Sequence, residues 1–238
     1  MNKSKSIWLL PLRSVVFLLF FVLVGAITGL SDISSWWTVV ATAVNVFTII
    51  ILVICAGKEG KTFKEKINYE KGKTSVKQVV LVSLLIIVAG MGCMYLSAFV
   101  IYGTVMPSAA AMMAAPVSKP LAILVFLLLP VTTALAEDGL YLGFGVNGIK
   151  NKWCAILIPA FFFALQHCFI PTLFDLKYVL YRFFSFLPLT IILCWHYYKN
   201  RNPLPIMIGH ALIDLATVIM VLSTSMVPGL YEKMLEQL

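Results

Sequence analysis

Three acids and two histidines fall within or beside long apolar runs: Glu137 and Asp138, then His167, then His210 with Asp214. Ionisable groups at membrane depth cost about 2.5–3.5 kcal/mol each even on lenient insertion scales, so each asks for a reason. His210 and Asp214 stand four residues apart, on one face of a helix, and Phe163 and His167 share that spacing. A carboxylate with two imidazoles can take a proton from water for attack on a carbonyl, or it can bind zinc. Both chemistries are hydrolytic, and both need a water-filled pocket among helices. The plainer alternative is a structural acid–histidine pair joining two helices.

The elements that would hold these residues follow from composition. Of 238 residues, 61% are hydrophobic and 12% charged, with a mean hydropathy of +0.97. So few charges cannot cover a soluble globule, and so much apolar sequence excludes disorder. Seven apolar segments can be marked, roughly 15–30, 36–56, 79–105, 121–144, 153–169, 178–198 and 203–223. Most approach the ~20 residues that a helix needs to cross ~30 Å of hydrocarbon. They lack the alternation of barrel strands. The expected fold is an all-α integral membrane protein, a bundle of about seven transmembrane helices with its N-terminus cytoplasmic.

The charges bear on that topology. Eighteen Lys and Arg against ten Asp and Glu give a net charge of +8, but the basic residues sit between apolar runs, and a nucleic-acid face is excluded. With the N-terminus inside, the inner segments carry fourteen basic residues: Lys3, Lys5 and Arg13, seven lysines from Lys58 to Lys77, Lys150, Lys152, Lys199 and Arg201. The outer segments carry three, Lys119, Lys177 and Lys233. The first span reads as a signal anchor. The lysine-rich stretch 58–77 reads as a solvated loop that sets orientation, with anionic lipid or a partner as the sharper alternative. Arg182 lies inside a span, where it either meets a buried acid or snorkels outward. His196 fits an interfacial belt beside Tyr197, Tyr198 and Lys199. Gly139, Gly143, Gly145 and Gly148 suggest close helix packing. The five cysteines, odd in number and without CxxC spacing, read as small apolar residues.

Glu137-Asp138, Phe163-x-x-x-His167 and His210-x-x-x-Asp214 resemble, in order, the EExxxR, FxxxH and HxxxN or HxxxD motifs of the CPBP (CAAX prenyl protease and bacteriocin-processing, or Abi) intramembrane proteases. The resemblance divides the chain into N-terminal helices with their lysine-rich loop (1–120), a catalytic helix core (121–224) and a short tail (225–238). It implies a cell-membrane, multi-pass endopeptidase, of a bacterial plasma membrane, acting on a membrane-embedded peptide or protein in the lipid bilayer, with no nucleic-acid partner. It makes Glu137 the base that takes a proton from water, His167 the group that holds that water, and His210 with residue 214 the support for an oxyanion. An ionised Asp214 cannot donate a hydrogen bond, so its expected part is to orient His210. Asp138 and Phe163 are supporting residues. No cofactor is implied beyond zinc, which Glu137, His167 and His210 would hold if it is used.

The departures are Asp138 in place of the second glutamate and Leu142 in place of the arginine. Asp138 then needs another cation such as Arg182 or Lys150, a proton, or water. Leu142 motivates the alternative of a non-catalytic relative that confers bacteriocin self-immunity or regulates a membrane partner. A proton-coupled transporter is a third reading, weakened by the lack of repeated halves. Depth adds a puzzle. His210 lies ~10 Å along its span and His167 ~22 Å from Lys152, a gap that bending near Pro159 and Pro171 could close.

Overall fold

A bilayer offers no partner for backbone N–H and C=O groups, so apolar runs of this length fold as helices that bond internally. The computed structural model describes residues 5–29, 33–170 and 175–237; Lys3 and Pro171 lie outside them. In chain order the helices are α1 (Leu9–Thr28), α2 (Trp37–Lys58), a short α3 (Phe63–Lys66), α4 (Val76–Tyr102) and α5 (Lys119–Thr133). A π-helix, Ala134–Val146, continues α5. Then come α6 (Lys152–His167), α7 (Leu176–Asn200), α8 (Leu204–Met226) and α9 (Leu230–Glu236). No strand occurs among the described residues. The chain is a multi-pass helical membrane bundle.

Six helices are long and apolar enough to cross a membrane, counting Lys119–Val146 as one, where seven were expected. The difference is α6. Its 16 residues reach ~24 Å, short of the ~30 Å hydrocarbon core.

Local signals explain several boundaries. Thr62 and Glu65 form a capping box on α3, and Ser75 and Gln78 form another on α4. The Asn151 and Asp175 side chains accept from the backbone N–H groups of Cys154 and Tyr178, which starts α6 and α7. Gly103, at φ 77°, ends α4 in a left-handed turn that favours glycine.

Helices α6 and α7 pack together, α4 lies against α7 and α8, and α5 lies between α2 and α8. Outward faces are apolar, as on α1 (Leu19, Leu23, Ile27) and α4 (Leu84, Val88), which suits contact with lipid. Polar side chains turn inward instead. Thr38, Thr42, Asn45 and Thr48 form a buried stripe along α2.

Two expectations change. Arg13, read as a loop charge ahead of the first span, lies within α1 and is buried, because four side-chain acceptors surround its guanidinium. The stretch 58–77 is only partly a solvated loop. Six of its seven lysines are exposed, but Lys66 is buried, paired with Glu59 at 2.6 Å and set over the Phe144 ring. α3 acts as a strap across the π-helix. A Cβ at Gly139 would lie 2.8 Å from Phe63, and one at Gly143 would lie 2.7 Å from Ile67. The glycines there serve close approach, as their sequence suggested.

Candidate active site

The site is built where the π-helix meets α6 and α8. The π-helix and α6 run past each other in a regular register. Gly145 faces Pro159, since a Cβ on the glycine would come within 2.9 Å of the proline ring. Four residues back along the π-helix and four forward along α6, Tyr141 stacks on Phe163. One more step of four brings Glu137 to His167, with 3.6 Å between Oε2 and Nε2. This pairing resolves the depth puzzle: the level of His167 is set by where α6 crosses the π-helix, at Pro159, rather than by its distance from Lys152.

From α8, His210 places Nε2 3.9 Å from Glu137 Oε2 and 3.9 Å from Asp214 Oδ2. Its Nδ1 lies 3.3 Å from Asp138 Oδ1. Thus Glu137, Asp138, His167, His210 and Asp214 come together, with Phe163 packed between the two histidine rings at centroid distances of 5.7 and 5.9 Å. Phe163 is buried rather than facing lipid.

The hydrogen bonds assign proton positions. A carbonyl oxygen only accepts, so His167 Nδ1, 2.7 Å from the Phe163 carbonyl, must donate. In the neutral ring Nε2 then presents its lone pair toward Glu137. Asp138 likewise accepts from His210 Nδ1. His210 donates from Nε2 as well only while doubly protonated. Glu137 Oε2, Asp138 Oδ2 and Asp214 Oδ2 are buried with no hydrogen-bond partner among the described residues. Buried acceptors of this kind are costly unless something donates to them.

The cation beside Glu137 is Arg13, whose Nη2 donates to Oε1 at 3.1 Å. Sequence reasoning missed this residue. Leu142, at the expected arginine position, is fully buried in the apolar core. Asp138 pairs with His210 instead of with Arg182 or Lys150. Lys150 is exposed, and Arg182 donates to the His167 carbonyl at 3.3 Å while lying over Phe186, which stacks on the His167 ring. Arg182 is therefore a buried brace behind His167, and it does not snorkel. At the strap, Tyr197 is buried too: its hydroxyl donates to the Ile67 carbonyl and accepts from Asn68 and Asn147. His196 stays partly exposed beside it.

As for zinc, no three His, Cys, Asp or Glu side chains among the described residues are grouped as a metal site. The position between Glu137, His167 and His210 does bring the donor types of a hydrolytic centre to one point, with Oε2 as their common neighbour.

Residues 119–216 match the family model described as Rce1-like, type II CAAX prenyl endopeptidase Rce1-like. That segment carries all six motif residues singled out in the sequence, and over it the chain is similar to the CPBP/CAAX proteases. No curated protein and no solved structure matches the chain. Arg13 and its α2 partners lie outside the matched segment.

Proposed function

We propose that this protein is an intramembrane endopeptidase, in which Glu137 activates water against a peptide bond of a membrane-associated peptide or protein. The observation that carries the reading is Glu137 Oε2, a buried acceptor with His167 Nε2 at 3.6 Å and His210 Nε2 at 3.9 Å. A water bound there would donate one hydrogen to Glu137 and the other to the His167 lone pair, leaving an oxygen lone pair for the scissile carbonyl.

On attack, the new C–O bond forms as Glu137 takes the water proton. The carbonyl oxygen becomes an oxyanion, which the Nε2–H of a doubly protonated His210 stabilises. Asp138 holds Nδ1 of that ring and Asp214 faces its other nitrogen. As the C–N bond breaks, Glu137 returns the proton to the leaving amine. No step requires a metal. A bacterial plasma membrane is the setting that fits this reading.

Its test is cleavage by the full-length protein in lipid nanodiscs. The probes are a quenched-fluorescent farnesylated peptide with a CAAX-type end and an unprenylated apolar peptide. Cleavage of either by the wild type, lost in Glu137→Gln, supports the reading. Cleavage that survives Glu137→Gln would overturn it, and so would cleavage of neither probe together with an intact cellular phenotype in Glu137→Gln cells, the outcome expected of a non-catalytic relative.

A further inference from the structure

We propose that Arg13, on the first transmembrane helix, is the positioning residue that aims Glu137. The inference rests on the reading of Glu137 as the base. Arg13 is 3% exposed, and all of its guanidinium nitrogens donate to side chains from three other elements. Nε donates to Gln166 Oε1 on α6, Nη1 to Thr48 Oγ1 on α2, and Nη2 to both Asn45 Oδ1 on α2 and Glu137 Oε1 on the π-helix.

The seat is itself fixed. Asn45 Nδ2 donates to Thr133 Oγ1 at 2.8 Å, the Thr48 hydroxyl donates to the Val44 carbonyl at 2.7 Å, and the Tyr141 hydroxyl donates to Gln166 Oε1 at 3.0 Å. A planar fork held on three sides has one orientation left for its fourth partner. That partner is Glu137 Oε1. Because Oε1 is occupied, Oε2 is the oxygen turned to His167 and His210.

Gln166 directly precedes His167, so one guanidinium sets both the rotamer of the base and its spacing from the imidazole. The candidate site is thus incomplete within residues 119–216, and α1 and α2 supply the part that orients it. Arg13 bonds Oε1, and the oxygen that would meet water is Oε2. The effect of Arg13 is expected on turnover rather than on peptide affinity.

The experiment uses the full-length protein in nanodiscs with whichever peptide the wild type cleaves. Arg13→Met is expected to fold, by size-exclusion profile and helical circular dichroism, and to lose about 10²-fold in kcat, the scale of a misplacement of roughly 1 Å. KM should stay within about threefold, and Arg13→Lys, which keeps a cation near Oε1 but loses the planar fork, should recover only part of kcat. Should Arg13→Met not fold, Thr48→Val with Asn45→Leu keeps the arginine and loosens its seat, and the same drop in kcat is expected there. Wild-type kcat in the folded variants, or a loss carried by KM and not even partly restored by lysine, would overturn the proposal. Glu137→Gln in the same assay separates the two claims. If Glu137→Gln is inactive while Arg13→Met turns over normally, the positioning role alone falls. If Glu137→Gln still cleaves, the base assignment falls and takes this inference with it.

Discussion

The ring of Tyr141 lies flat against that of Phe163, with centroids 4.6 Å and planes 14° apart. One step of four along each helix separates this stack from the Glu137–His167 pair, so the aromatic contact sets the level at which base and imidazole meet. Phe163→Ala should destabilise the protein by about 3–5 kcal/mol and abolish cleavage. Tyr141→Phe keeps the stack, removes only the hydrogen bond to Gln166, and should cost about 1 kcal/mol. Denaturant unfolding in detergent measures both; equal losses would mean that the stack does not set the register.

Gly143 admits the strap. A methyl group there would meet Ile67 Cγ2 at 2.7 Å, and overpacking of that kind costs roughly 1–3 kcal/mol. Gly143→Ala should therefore lower stability, and Ile67→Ala in the same chain should return part of it. A double-mutant cycle showing no coupling would remove the strap from the account.

The two aspartates beside His210 should behave differently. Asp138 is buried and accepts from Nδ1, so Asp138→Leu should cut kcat by about 10²-fold through loss of the ring's orientation. Asp214 is partly exposed and 3.9 Å from Nε2, and its position tolerates Asn in the motif that this chain resembles. Asp214→Asn should keep activity within about tenfold. A steeper loss at Asp214 than at Asp138 would reverse their assigned parts.

The cap of the strap predicts a pH response outside the membrane. Backbone and side-chain hydrogen bonds from Thr62 hold the Glu65 carboxyl below the ordinary glutamate range. The ionised form is the one favoured by folding. Its contribution is complete above that ordinary range and is lost as pH falls through the lowered value. Hydrogen exchange at residues 62–67 should accelerate in that acid window and not at neutral pH, and Thr62→Ala, which removes the hydroxyl and keeps the backbone N–H, should weaken the dependence without abolishing it.

A water-only mechanism predicts that cleavage survives prolonged chelation in metal-free buffer. Loss of activity under chelation, restored by zinc and by no other step, would replace it with a metal mechanism.

The fourfold spacings of Phe163–His167 and His210–Asp214 were legible because a helix fixes which residues share a face, whatever the tertiary packing. The bundle was legible because the solvent demands it. Arg13 was not, since a basic residue at the start of an apolar run carries the same signature whether it sets topology or enters the core. The signal that distinguishes the two lay in another segment. Thr38, Thr42, Asn45 and Thr48 recur at helical spacing through an otherwise apolar run, a polar stripe that needs a polar partner. The π-helix left no comparable mark, because its wider hydrogen-bond step changes backbone register without requiring a residue pattern. The length of α6 was overread because the apolar run continues past His167 while the helix stops there.

Arg13 precedes Glu137 by 124 residues. During synthesis the cation is made, and α1 laid down, long before the acid that neutralises it exists. The position of Arg13, four residues after the start of α1, suits that interval: a long side chain near a helix end can keep its charge in the headgroup layer until a partner arrives. Arrival of the π-helix would then draw the guanidinium inward, making closure of the ion pair a late event of assembly.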